Sequence, residues 1–354
     1  MADTRRVVTV DGEGTVEIVE EPVPEPGPGE VLVEVAASLV TPGSGVTPVA
    51  RRRENPDPDP DRDRSRRGYQ AAGRIAGLGE GVNRVAIGDR VACMGSGYAY
   101  HADAVVVPVN LTVPLPEGVS YDAGAFNHLA ATGLHAVRRG DVGVGEFVAV
   151  AGLGLVGQLT GQIAGIAGGR VAGIDLLEGR VERARAVGID RAVPAGDGAD
   201  PVGAVREFTG GRGIDCGVVA FGGEATPAFD QLVEMTRTAP DGHRYGRIVV
   251  VGGAHIEYDF PTALGNMDVR ASSRPGPGYH DEAWERGADY ADTYRGDIEW
   301  TTRRNLEESL RLIDEGALSV EELITHRLPL SDAAAGYDAL IETPDEALGV
   351  VFRP

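Results

Sequence analysis

The stretch from Phe147 to Gly157 constrains this fold more than any other. The apolar run Phe147-Val-Ala-Val-Ala151 passes directly into Gly152-Leu-Gly154-Leu-Val-Gly157, and a helical pattern continues from Val156 to Ala167. Strand, glycine turn and helix in that order form a dinucleotide-binding unit. Gly152 permits the tight turn, Gly154 lets the backbone approach a pyrophosphate, and Gly157 lets the helix lie close on the strand. The helix start at Leu155 and Val156 then offers unpaired N–H groups and a partial positive charge to phosphates. A second apolar run ends at Asp175, 23 residues after Gly152, where a carboxylate accepts hydrogen bonds from ribose hydroxyls. That carboxylate repels a 2′-phosphate, so NAD is expected over NADP. Arg180, one helical turn into the next helix, is the side chain that could accept such a phosphate.

The alternation continues on the C-terminal side. Strands are expected at Val171–Asp175, Arg191–Pro194, Asp215–Ala220, Arg247–Val251 and Asp268–Ser272, with helices at Arg180–Val187 and Ala228–Thr238. Six strands with crossover helices describe a doubly wound parallel sheet. The first third differs. Short β-branched runs at Val7–Val10, Thr15–Val19, Val31–Ala37, Ala72–Leu78, Arg90–Cys93 and Ala104–Val107 are separated by Pro/Gly turns. Within it, Ala50–Gly68 is nearly all charge and proline and reads as a mobile surface loop. After Ser273 come an irregular segment, an amphipathic helix at Thr301–Glu315, a helix at Asp332–Glu342 and a strand at Ala347–Phe352. The expected division is a catalytic domain over 1–120, completed by 275–354, and a dinucleotide domain over 121–274.

Composition narrows the partners. Of 354 residues, 54 are acidic and 33 basic, giving a formal charge of −21, and no lysine is present. Such a surface repels nucleic-acid backbones and anionic membranes. Dense carboxylate without lysine fits a cytoplasm of molar salt, where charge is screened within roughly 3 Å; a GC-rich genome drifting from Lys to Arg is the alternative. Cys93 and Cys216 are too few for a disulfide framework or a four-cysteine zinc lobe. Met1–Val10 has no apolar signal-peptide core, and the uncharged run Phe147–Gly169 is broken by glycines and by Gln158, Thr160 and Gln162. A cytoplasmic enzyme is expected.

These residues, in this order, resemble the medium-chain dehydrogenase/reductase family, the zinc-type alcohol and polyol dehydrogenases. Pro26-Gly-Pro-Gly-Glu-Val-Leu-Val-Glu-Val35 is similar to the family's first long strand, and Gly73–Gly79 with Gly88–Val91 to its barrel core. Gly152–Gly157 sits where the family binds its cofactor, and Gly246–Gly252 resembles a later sheet strand. The resemblance implies a chaperonin-10-like β-barrel catalytic domain beside a Rossmann domain, and a homodimer or homotetramer.

The family's zinc takes a cysteine after the first long strand, a Gly-His-Glu motif, and a later cysteine or acid. Here those places read Ala37–Gly43 with no thiol, Gly68-Tyr69-Gln70, and His128, four residues before Thr132. One imidazole does not hold a catalytic zinc, which takes three protein ligands and a water. A metal-free enzyme is expected, resembling a zinc-lacking subgroup of sugar or cyclitol oxidoreductases through Ser38–Gly43, Gly276–Asp281, Trp300–Asn305 and Ile324–Arg327. Without a Lewis acid, a general base or an oriented hydrogen-bond network must take the hydroxyl proton. The resemblance puts His128 and Tyr69 in the vacated pocket, with His128 as base, Tyr69 and Gln70 orienting substrate hydroxyls, and Thr132 at the nicotinamide; His128 as a core histidine at a helix start is the alternative. His101 and the polar-tipped aromatics Tyr279, His280, Tyr290, Tyr294 and Trp300 are further candidates for substrate contact, or for barrel closure and packing. The expected function is NAD-dependent oxidation of a sugar, polyol or cyclitol hydroxyl. A zinc-free quinone or enone reductase and a silent NAD-binding protein are the alternatives.

Overall fold

The computed structural model describes residues 3–57, 59, 64–261, 264–290 and 298–354. The chain forms two compact units. The first comprises Met1–Ala131, Pro275–Gly316 and Leu323–Pro354, and the second Thr132–Arg274 with Ala317–Glu322.

The long strand Glu30–Val40 organises the first unit. It pairs antiparallel with Gln70–Leu78, Ala104–Pro108 and Gly349–Arg353. Register shifts at Leu32/Val33 and Val35/Ala37 bend it, which lets one strand serve several neighbours of a curved sheet. A Cβ on Gly73 would lie 1.9 Å from the Glu34 carbonyl oxygen, so the two strands meet this closely only through glycine. The sheet runs Ile324–Pro329, Gly349–Arg353, Glu30–Val40, Gln70–Leu78, Arg90–Met94, Thr112–Pro114. Thr4–Val10, between Val16–Pro22 and Ser65–Arg66, forms a second sheet. Val8, Val10, Val40, Val49, Tyr337 and Phe352 are buried together in the core of this unit.

The acidic and proline-rich segment is more ordered at its start than its composition suggests. Residues 58 and 60–63 lie outside the described residues, but Thr47–Glu54 is a helix and Ser65–Arg66 a strand. Tertiary bonds override the composition. Val49 is buried, Arg52 donates to the carbonyls of Val10 and Asp11 and to Ser65 Oγ, and Arg53 donates to the Gly14 carbonyl and pairs with Asp338.

The second unit is a six-stranded parallel sheet in the order Arg191–Pro194, Arg170–Asp175, Phe147–Ala151, Cys216–Val219, Tyr245–Val251, Asn266–Ser272. In chain order this is 3-2-1-4-5-6, the Rossmann arrangement. The order reverses between Phe147–Ala151 and Cys216–Val219, and ligands of such sheets bind beyond the carboxyl ends at that switch. A helix at Pro201–Phe208, capped by the Asp200 side chain on the Gly203 N–H, is an element the sequence pattern did not suggest. Among the described residues no helix is long and apolar enough to cross a membrane.

Candidate active site

The glycine turn has the shape a dinucleotide needs. Gly152 has φ +91°, a conformation reserved largely for glycine. A Cβ on Gly157 would sit 1.7 Å from the Gly152 carbonyl oxygen, so the helix Leu155–Ile166 reaches the strand only with glycine there. Gly154 caps that helix without a side-chain bond, and a Cβ added to it would meet nothing within 4 Å. Open space over bare N–H groups at a helix start fits a pyrophosphate, with Leu155 and Val156 supplying the donors. These residues therefore fit a dinucleotide.

Asp175 closes this turn. Its Oδ2 accepts from the Leu153 N–H at 2.6 Å and its Oδ1 from the Leu177 N–H at 2.9 Å. A carboxylate has about four acceptor positions, so these two bonds leave capacity for ribose hydroxyls. Arg180 Nη1 lies 3.7 Å from the same Oδ2, so its charge is offset by the carboxylate it was set against. Gln158, which the motif passes over, donates to the carbonyls of Leu153 and Arg180 and ties the turn to the following helix.

A second cluster lies in the barrel unit. Tyr69 precedes the strand Gln70–Leu78, and its hydroxyl is 2.7 Å from Ser44 Oγ. Its ring meets His128 edge-on at 4.9 Å between centroids, and His128 in turn meets Tyr279 at 6.1 Å. Tyr279 stacks on His280 at 3.9 Å and its hydroxyl accepts from the Ser96 N–H at 2.6 Å. His128 is half-buried near the start of the helix Asn127–Gly140. Burial pushes its pKa down to about 4, while a hydrogen bond to the Tyr69 backbone works the other way. The Tyr69 hydroxyl is pushed up, chiefly by burial, and stays protonated. A neutral imidazole thus stands beside phenols, with the exposed Ser44 linked to one of them. Ser44 directly follows the Thr41-Pro-Gly43 segment, and only its contact with Tyr69 marks it.

Other candidates stand apart from this cluster. Gln70 is fully buried, its amide donates to the Leu39 carbonyl at 3.4 Å, and its Oε1 has no hydrogen-bond partner among the described residues. His101 lies in the interior of the barrel unit. It is 1% exposed, bonds Ser38 Oγ through Nδ1 at 2.8 Å and meets Phe352 edge-on, so it packs the barrel. Trp300 lies under the Arg304 guanidinium at 3.7 Å, and Tyr290 stacks on Trp284 with its hydroxyl on Asp281. Tyr294 lies outside the described residues. Thr132 is buried in the helix that carries His128.

A zinc ion is implied by the fold family, and the donor set does not fit one. Among the described residues no three His, Cys, Asp or Glu side chains are gathered to hold a metal. Cys93 and Cys216 are buried thiols, pushed up by burial to about 12 and about 11.

A Rossmann sheet with a phosphate-cradling turn, in one chain with an antiparallel barrel bearing a Tyr–His cluster, defines a two-domain nucleotide-dependent oxidoreductase. Residues 27–117 match the alcohol dehydrogenase GroES-like domain and residues 156–288 the zinc-binding dehydrogenase family. Sorbitol dehydrogenase of Halalkalibacterium halodurans is 25% identical over 382 aligned positions, covering 98% of each chain. An alcohol dehydrogenase from E. coli CFT073 complexed with NADH superposes with a TM-score of 0.76 at 16% identity, covering 100% of both chains. A putative zinc-binding dehydrogenase from Sinorhizobium meliloti bound to NADP gives 0.74 at 19%, also covering 100% of both. The chain belongs to the medium-chain dehydrogenase/reductase superfamily and is an oxidoreductase.

Proposed function

We propose that this enzyme is an NAD-preferring dehydrogenase that oxidises a hydroxyl of a sugar, polyol or cyclitol without zinc. The observation that carries this reading is the neutral imidazole of His128 held against Tyr69 and Tyr279, where no set of metal ligands is gathered among the described residues. The sorbitol dehydrogenase relative supports the substrate class.

When bound, the dinucleotide supplies the hydride acceptor. Gly152–Gly157 would hold its pyrophosphate and Asp175 its ribose hydroxyls. Burial holds the His128 imidazole neutral, with its pKa lowered to about 4 against a hydrogen bond to the Tyr69 backbone, and a neutral imidazole is the form that can act as a base. His128 is the residue assigned to take the proton from the substrate hydroxyl. The phenols of Tyr69 and Tyr279 orient neighbouring hydroxyls, and Ser44, exposed and bonded to Tyr69, links that phenol to solvent.

Turnover of a panel of polyols and sugars with NAD, in the presence of a chelator, tests the reading. Chelator-resistant NAD reduction by polyols is expected. Loss of all turnover on chelation sinks the metal-free reading, and NADPH-linked reduction of quinones or enones alone would favour a reductase.

A further inference from the structure

Next to the Tyr–His cluster sits a carboxylate that the reading above leaves unused. Glu285 ends the short helix Glu282–Glu285 and is only 3% exposed. Its Oε1 accepts from the His280 backbone N–H at 2.7 Å and its Oε2 from the Tyr98 hydroxyl at 3.1 Å. A buried carboxylate is tolerated only when donors meet its oxygens, and here one donor comes from each side.

The bond to His280 falls on an unusual backbone. His280 has φ +75°, in the left-handed region that side chains with a Cβ seldom adopt. The approach to it is equally fixed. Gly278 has φ +104°, and a Cβ there would lie 2.6 Å from the Trp284 ring, one residue before Glu285. Strain of this kind persists only where neighbours over-determine it. Glu285 is such a neighbour. The geometry it secures lays the His280 ring on Tyr279 at 3.9 Å with planes 28° apart, and Tyr279 is the ring that meets His128.

We propose that Glu285 is a positioning residue for substrate: by bonding the His280 N–H it fixes the Tyr279–His280 ring pair that a polyhydroxy compound packs against beside His128. This rests on the site reading given above. Displacing the ring pair weakens substrate binding, while His128 keeps its own helix and its bond to the Tyr69 backbone. The effect therefore falls on KM and spares kcat.

Glu285→Ala is expected to raise KM for the preferred polyol about tenfold with kcat within about threefold, and Glu285→Gln, which still accepts from His280, to restore it. His280→Gly removes the ring and relieves the backbone, so it should melt no lower than the parent yet show the same rise in KM. The imidazole proton signals of His128 and His280 give a readout that needs no substrate. They should shift in Glu285→Ala through the lost ring stacking and return in Glu285→Gln. Parental KM in both Glu285→Ala and His280→Gly, or unmoved imidazole signals in Glu285→Ala, overturns the proposal. Full turnover in His128→Ala together with a raised KM in Glu285→Ala removes His128 as base and leaves Glu285 its role.

Discussion

The carboxylate of Asp175 holds the backbone N–H of Leu153 at 2.6 Å, so the acid at the end of one strand also shapes the glycine turn at the end of the next. Asp175→Ala should therefore do more than remove a ribose contact. It strands the N–H groups of Leu153 and Leu177 and frees Arg180 from its partner. A hydrogen bond to a charged group contributes about 1.5–3 kcal/mol, so NADH binding should weaken at least about tenfold. NADPH should lose far less, because the freed Arg180 can meet a 2′-phosphate. Fluorescence titration of both nucleotides checks this, and equal losses would contradict the role given to Asp175.

His128→Ala should lower kcat about 10²–10⁴-fold while leaving NADH affinity nearly unchanged. The pH profile carries the sign. With the imidazole held down to about 4, its base form persists above that value, and kcat/KM should fall only as pH drops through it. A limb near 6.5 would show an ordinary exposed histidine.

The glycine turn and its acid were legible in the sequence because their requirements are local: a φ that only glycine takes readily, a backbone that must stay bare, and a carboxylate at a fixed distance along the chain. The strand Phe147–Ala151, buried along its whole length, coincides with its expected bounds to the residue, since a fully buried strand has no alternative face; Arg191–Pro194, exposed at both ends, coincides as well. The helix Thr47–Glu54 was hidden, because its arginines are satisfied by the carbonyls of Val10, Asp11 and Gly14, up to about forty positions away in the chain. The same holds for the barrel cluster. Tyr69 and His128 could be singled out only through a family resemblance, and Ser44 and Glu285 not at all, because Tyr69 lies 25 positions from Ser44 and Tyr98, the second partner of Glu285 beside His280, lies 187 positions away. Gln70 and His101 are buried polar residues whose partners, the Leu39 carbonyl and Ser38 Oγ, are set by the fold and do not show in the sequence spacing.

His101 should make folding sensitive to mild acid. Burial, with Arg67 nearby, lowers it to about 3, whereas in the unfolded chain it titrates near its ordinary 6.5. Its folded pKa lies below its unfolded one, so its contribution is complete above about 6.5 and is lost as pH falls from there toward 3. The slope approaches about 1.4 kcal/mol per pH unit once the unfolded chain is protonated and the folded one is not. Denaturant melts at pH 7, 5.5 and 4.5 should show this, and His101→Phe should flatten it by one histidine's share. His128 and His135, both lowered to about 4, contribute to the slope that remains. An identical slope in His101→Phe would mean that the ring is already protonated in the barrel.

Asp122 should matter to stability more than any exposed pair. It is buried, and its two oxygens accept from Arg327 Nε at 2.8 Å and Arg353 Nε at 3.0 Å. The two arginines hold its carboxyl below the ordinary carboxylate range even though burial opposes them. They belong to the strands Ile324–Pro329 and Gly349–Arg353, so the acid at the start of the helix Tyr121–Gly124 fastens both C-terminal strands. Removing one partner of a buried pair leaves charge uncompensated, and the partial exposure of both arginines reduces that penalty. Asp122→Ala should cost about 2–4 kcal/mol in denaturant unfolding, and Asp122→Asn nearly as much, because an amide cannot accept at both atoms. The contribution is present above the ordinary carboxylate pKa and lost as pH falls through the lowered folded value, the same direction as for His101 but at more acid pH. Double-mutant cycles with Arg327→Ala and Arg353→Ala apportion it. Coupling near zero in both would mean that the strands are held by their apolar faces alone.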